Sequence, residues 1–311
     1  MANASQTVAI DSPVAVRRRA RNAQRRRSAR VGRLLVTPAC VLVVAFVLFP
    51  LGYAVYISLT DWPLIGAYHY IGTANYSHLL HDPQFWHAVK FTGIYTAIVT
   101  PPIFLVGYGL AALLRSNRFG SSVFRTLYFL PFVVGLTAVS FIFTIELQPG
   151  SGGVDFLLSK LGIVGDQHIW TFTYGSALLA ISVIIVWFAS GLTMLILTGG
   201  MQSIPRELYE AADVDGASWW SKELRITLPL LRRSIALALI ISVIGSFLAF
   251  NQFFIIAQNN VGLESVVEWI YQTGFENNQL GYATAMAMVL VLVIAVVTII
   301  QFLALRDTTE L

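Results

Sequence analysis

The sequence predicts an all-α, polytopic membrane protein of six transmembrane helices, with one strongly charged loop between the fourth and the fifth. Three observations carry that expectation. First, 56% of the 311 residues are hydrophobic and 12% are charged, against about 25% charged in a soluble domain. A water-soluble fold of this length would lack the polar surface to cover itself. Second, the charges are clustered, leaving uncharged windows at 34–60, 91–114, 126–145, 167–205, 234–263 and 277–305. A helix crosses the bilayer hydrocarbon with about 20 apolar residues, and it satisfies its own backbone, as lipid requires. A spanning β-barrel would alternate over segments of about ten residues, whereas these runs are continuous. Third, the basic residues fall almost entirely on one side of the six-span arrangement.

The first element is an Arg-rich tail, 1–33, with nine arginines between Arg17 and Arg33. No nucleic-acid-binding fold fits ahead of residue 34. A cleaved signal would carry a short apolar core and a small-residue cut site, but the apolar run continues to about Leu59. The tail therefore reads as the cytoplasmic flank of a retained first span. Cys40, the single cysteine, excludes an intrachain disulfide and reads as a small apolar residue within that span. The uncharged stretch 62–81 holds three His, three Tyr, one Asn and two Gly, and reads as a loop. With the N-terminus cytoplasmic, segments 1–33, 115–125, 200–233 and 306–311 lie inside and hold 18 of the 20 basic residues; only Lys90 and Lys160 fall outside. This positive-inside bias divides the chain into a cytoplasmic tail 1–33, a membrane domain 34–306 and a cytoplasmic tail 307–311. All five histidines (His69, His78, His81, His87 and His168) fall outside. With no cysteine partner and no i,i+4 pair on a polar face, they make no metal site.

The charged loop, 203–229, follows the fourth span. Glu207, Glu210, Asp213, Asp215, Lys222, Glu223 and Arg225 crowd into it. Ser203 and Pro205 suit a helix start, since proline is tolerated in a first turn. "RELYEAADV" then supplies strong helix formers, and Arg206 reaches Glu210 one turn on. Leu208, Ala211 and Ala212 share one face. Gly216 ends this helix, because glycine takes a left-handed backbone readily. "ASWWSKEL" gives a further turn or two, and Pro229 marks the turn into the fifth span, preceded by an extended residue. A solvated connector competes with a docking surface here. Ala211 and Ala212 allow close approach of a second surface, while Trp219 and Trp220 also suit a membrane interface.

The segment "EAADVDGA…ITLP" resembles the EAA loop of ABC importer permeases, the membrane subunits of binding-protein-dependent uptake systems. Glu210, Ala211, Ala212, Gly216, Ile226, Leu228 and Pro229 match that pattern. "GGMQSIPRELYEAADVDGASWW", "FRTLYFLPFVV" (124–134) and "FENNQLGYATAMAMVL" (275–290) are similar to the carbohydrate-type branch, and the likeness covers about 34–306. Departures are Glu223, where an aromatic residue is common, Arg233, where a second proline is common, and "AQNNVG" (257–262) in place of a "TGGGP"-like turn. The resemblance implies a subunit of a bacterial inner (plasma) membrane importer for a sugar, oligosaccharide or polyol. It implies a second permease subunit, a dimer of ATPase subunits carrying ATP and Mg, and an extracytoplasmic solute-binding protein as partners. It also implies that Glu210, Ala211, Ala212, Asp213, Gly216, Leu228 and Pro229 couple to the ATPase.

No "GxxxxGK[ST]" phosphate loop occurs, so this chain is expected to bind no nucleotide or other cofactor and not to be an enzyme. An ion-coupled secondary carrier would place acidic or basic residues within its spans, and the six windows hold none. A glycerol phosphate permease is a further alternative, disfavoured by the lack of an outer arginine cluster. Within the fifth window, Asn251 and Gln252 lie among Phe247, Phe250, Phe253 and Phe254. Rings cover the apolar faces of a pyranose and amides bond its hydroxyls, which makes Asn251, Gln252, Phe250 and Phe254 candidates for a substrate path. Helix–helix packing through amides competes with that reading. Tyr282 and Thr284 are weaker candidates.

Overall fold

The computed structural model describes residues 33, 35–115, 120–163, 165, 170, 173–257 and 262–305. The arginine tail to residue 32, the C-terminal tail and most of "AQNNVG" lie outside the described residues. The chain divides into two compact units, Met1–Tyr56 and Ile57–Leu311. The first carries most of helix α1 (Leu35–Ser58), with Cys40 exposed on it and a π-helical turn at Val44–Leu48. Large apolar side chains are exposed all round this helix, as on a span that faces lipid.

In the second unit the order is α2 (Ala74–Leu80), α3 (Pro83–Leu114), α4 (Ser121–Val134), α5 (Leu136–Glu146), α6 (Gly153–Lys160), α7 (Tyr174–Gln202), α8 (Arg206–Val214), α9 (Trp219–Leu230), α10 (Arg232–Phe247), α11 (Asn251–Ile256), α12 (Val266–Tyr271) and α13 (Leu280–Leu305). No strand occurs among the described residues; one isolated antiparallel bridge joins Thr60 to Tyr70. Helices α1, α3, α7 and α13 are each long and apolar enough to cross a membrane, and two bent pairs could raise the count to six.

Those bends correct the reading of the third and fifth windows. Window 126–145 is not one rod: α4 and α5 meet at 93°. The corner is Gly135, with φ 92° and ψ 145°, a conformation open only to glycine. In window 234–263, α10 stops at Phe247 and the chain resumes as α11 at Asn251. The stretch 62–81, expected as a loop, contains α2. The residue before Pro229 is also helical rather than extended: Leu228 has φ −59° and ψ −45°. A π-helical turn at Glu223–Thr227 sends the Leu228 N–H to the Glu223 carbonyl, and the chain turns later, at Leu231, between α9 and α10, which meet at 72°.

The packing axis is α3 against α7. Asp82 starts α3 by accepting from the N–H groups of Gln84 (2.9 Å) and Phe85 (3.3 Å), and Pro83 at the first position needs no partner. Gly107 of α3 lets Thr193 of α7 approach so closely that a methyl at 107 would lie 2.6 Å from its Cγ2. Around this pair, three buried clusters lie among the described residues. One joins α3, α7 and α11 through Tyr95, Ile181 and Phe253. A second joins α2, α3, α12 and α13 through Leu79, Phe85, Val266 and Met286. A third joins the far ends of α3, α7 and α10 through Ala111, Leu197 and Leu231.

At the end of the bundle where α3 begins, the buried Asn75 amide donates to the carbonyls of Ser58 (2.9 Å) and Thr60 (2.8 Å). Trp62 accepts from the Gly281 N–H at 2.8 Å, which ties the segment to α13. Asn75→Ala removes two buried donors, and thermal unfolding in detergent is expected to show a loss of about 2 kcal/mol.

Candidate functional site

The loop between α7 and α10 forms a helical hairpin. Pro205, with φ −56° and ψ 134°, brings an extended residue to the start of α8. The end of α8 is closed by a left-handed residue: Gly216 has φ +70°. Its N–H bonds Asp213 O at 3.1 Å, and the Ala217 N–H bonds Ala212 O at 2.9 Å. This is the double bond of a Schellman cap. Glu207, Leu208, Glu210, Ala211, Asp213 and Val214 are exposed, while Tyr209 and Ala212 are half-buried. Val214 is 89% exposed and Trp220 68% exposed, so apolar surface stands among the charges. The Arg206–Glu210 ion pair (3.1 Å) is solvated on both sides, worth about 0.3–0.5 kcal/mol.

The structure thus gathers Glu210, Ala211, Ala212, Asp213 and Gly216 on or beside α8. Leu228 and Pro229 lie at the other end of α9, where it runs into the bundle beside buried Leu231. The hairpin is closed by Lys222 Nζ on Asp213 Oδ1 (2.6 Å) and by the Tyr209 and Thr227 hydroxyls at 2.9 Å.

Sequence reasoning missed what fixes the hairpin to the membrane bundle. Glu223, read only as a departure from a pattern, is buried. Its Oε1 receives Arg115 Nη1 at 2.8 Å and its Oε2 receives the Tyr108 hydroxyl at 2.6 Å. The Arg115 guanidinium also lies 5.3 Å from the Tyr209 ring centroid. The available signal was the i,i+7 spacing of Tyr108 and Arg115, two turns apart on one helix face.

Higher in the bundle, α3, α4, α5, α7, α10 and α11 line a half-open cavity of about 390 Å³. Aromatic walls come from Tyr95, Phe132 and Phe188, and polar groups from Thr193, Ser242, Ser246 and Gln252. The Gln252 Nε2 donates to the Tyr95 hydroxyl at 3.3 Å, leaving its Oε1 without a hydrogen-bond partner. Of the residues expected along a substrate path, Gln252 lines this space. Phe250 and Phe254 stack on each other at 4.9 Å and meet Tyr271 tilted and edge-on, each at 5.3 Å, and neither they nor Asn251 is among the lining residues. Tyr282 is engaged elsewhere: its hydroxyl donates to Asp82 at 2.6 Å and its ring meets His78 at 4.6 Å.

Outside the spans, Glu268 of α12 is buried. Burial pushes its carboxyl up to about 7; a hydrogen bond from the Ser265 backbone opposes the rise, and the charges of Glu264 and Glu276 add to it. The native state therefore holds a proton that the unfolded chain releases near the ordinary carboxylate value. Stability from this group is present below about 4 and is lost as pH rises to about 7. Glu268→Gln is expected to unfold a few degrees above the parent at about pH 8 and level with it at about pH 4, in thermal scans of the purified protein.

Comparison with known proteins matches residues 91–309 to the family of binding-protein-dependent transport system inner membrane components. A probable ABC transporter permease of Pyrococcus horikoshii is 33% identical over 269 residues, spanning 86% of this chain and 92% of the relative. The lactose transport system permease of Rhizobium radiobacter is 30% identical over 283 residues, spanning 89% and 94%. A solved bacterial ABC transporter involved in import of the acidic polysaccharide alginate superposes with a TM-score of 0.79 at 21% identity, covering 93% of this chain and all of that one. A bacterial alginate ABC transporter in complex with an alginate pentasaccharide-bound periplasmic protein superposes equally well, with a TM-score of 0.79 at 21% identity. With the family pattern running through most of its membrane domain, this chain belongs to the inner membrane components of binding-protein-dependent transport systems and is an ABC transporter permease.

Proposed function

We propose that this permease passes a saccharide or polyol across the membrane in an importer driven by separate ATPase subunits, with α8 as the element those subunits grip. The observation that carries the reading is the capped α8, exposed on its charged and apolar faces, joined directly to spanning α7 and, through α9, to α10. A short helix so held moves as a lever. Ala211 and Ala212 leave room for a close neighbour, and Glu210 offers a charge-assisted contact. The partners are a second permease, a pair of ATPase subunits holding ATP and Mg, and an extracytoplasmic solute-binding protein. The lactose relative and the alginate importer support a saccharide. The cavity sets the Gln252 amide, Thr193 and two serines within a largely apolar, aromatic lining. The basic residues around the loop support a cytoplasmic α8 and cytoplasmic termini.

The test has two arms. Asp213→Cys, on a Cys40→Ser background, is expected to resist a membrane-impermeant maleimide in intact cells and to react once they are opened. The purified transporter is expected to contain ATPase subunits whose ATP hydrolysis rises with binding protein loaded from a panel of mono- and oligosaccharides. Labelling of residue 213 from outside intact cells would refute the coupling role.

A further inference from the structure

We propose that Glu223 is the positioning residue through which movement of α8 reaches the wall of the cavity, by way of Arg115 and Tyr108 on α3. The inference rests on the coupling role proposed above. It adds the route from the gripped helix into the bundle.

Three observations carry it. Glu223 is an acid removed from water, with its side chain 3% exposed, so it persists only where both oxygens find strong partners. Both partners come from α3 and the residue that caps its end: the Tyr108 hydroxyl at 2.6 Å and Arg115 at 2.8 Å. Two charged or polar bonds to one carboxylate, spaced two turns apart along α3, hold the base of α9 against both sliding and rotation. Next, Arg115 is shared. Its guanidinium meets Glu223 of α9 and the Tyr209 ring of α8, while the Tyr209 hydroxyl returns to Thr227 of α9 at 2.9 Å. One arginine therefore touches all three elements. Lastly, α3 continues from this joint to the cavity, which Tyr95 and Ile103 line, and through Gly107 it is locked against Thr193 of α7, another lining residue. A shift of α8 is passed on by packed and hydrogen-bonded groups. The π-helical turn that begins at Glu223 belongs to the same device, since the widened turn changes the direction in which this side chain leaves α9 relative to its neighbours.

A purely structural ion pair would also be buried, so the test has to read transmission. In the complete transporter, with Cys40→Ser and a reporter Ser242→Cys in the cavity wall, the rate of modification by a charged methanethiosulfonate reagent is measured without nucleotide and with ATP and vanadate. The parent is expected to show about a tenfold difference between the two states. Glu223→Gln and Arg115→Gln are expected to keep ATP hydrolysis and bound ATPase subunits but to shrink the difference to under about threefold. The exchange Arg115→Glu with Glu223→Arg is expected to restore it. Tyr108→Phe, which keeps the ion pair and the ring, is expected to fall between and guards against a variant that does not fold. A parent-sized difference in Glu223→Gln, or in Tyr108→Phe should the others fail to assemble, would overturn the proposal. If the parent itself shows no difference, the coupling reading fails instead.

Discussion

Gly191→Val is expected to cost at least about 3 kcal/mol and to leave little properly assembled permease. A Cβ at position 191 would overlap the Tyr128 carbonyl and lie 3.1 Å from the Phe129 Cα. Both are backbone atoms of α4, so no side chain can swing aside; the helices themselves would have to part. Spanning helices gain from small residues because close backbone approach is their main source of contact. The same helix supplies the control. Gly199 is exposed, and a methyl there would meet nothing within 4 Å. Gly199→Ala is expected to gain up to about 1 kcal/mol from helix propensity. Thermal unfolding in detergent separates the two. A Gly191→Val protein that unfolds with the parent would mean that α4 and α7 are not packed as described.

Ala211→Trp is expected to lower recovery of ATPase subunits with the permease by at least about tenfold, a change of about 1.4 kcal/mol in association, while the unfolding temperature holds. The exposed Ala211 lies opposite the face that Tyr209 turns to α9, is small where a partner would come close, and an indole there fills that space without entering the hairpin. Gly216→Val is expected to act differently. It forces a β-branched residue into φ +70°, costs about 1–2 kcal/mol locally, and loosens the cap of α8 rather than its surface. Both variants are checked by co-purification and by ATP hydrolysis stimulated by loaded binding protein. Normal values for Ala211→Trp would remove α8 from the interface.

Much of this arrangement was legible in the chain. Charge clustering located the spans and the loop, because lipid excludes ions from long stretches. Gly216 was legible as a helix end, because a left-handed residue after "EAADV" is read locally. What was not legible depended on partners distant in sequence. Glu223 looks like one more acid in a charged loop until Arg115, 108 positions away, is brought beside it. Tyr282 reads as an aromatic near a span start, and only its meeting with Asp82, 200 positions away, makes it a joint between helices. The corner at Gly135 was hidden for a different reason. Hydropathy sums over a window and takes no account of one φ angle, so a bent pair and a straight rod give the same signal. Pro229 misled because the rule for the preceding residue is a local steric preference, and a π-helical turn overrode it.

The bent third window has one more consequence. Its 14- and 11-residue halves rise about 21 and 16 Å, so neither alone traverses about 30 Å of hydrocarbon. Chain ends of two helices therefore meet at depth, with carbonyl and amide groups that intrahelical bonding leaves over. Phe132 and Leu136 on either side of that junction border the same hollow as Ser246 and Gln252 on either side of the gap between α10 and α11. The backbone ends of two broken helices thus border one greasy hollow, so the spare hydrogen-bonding capacity of the bundle is gathered at the wall of that chamber.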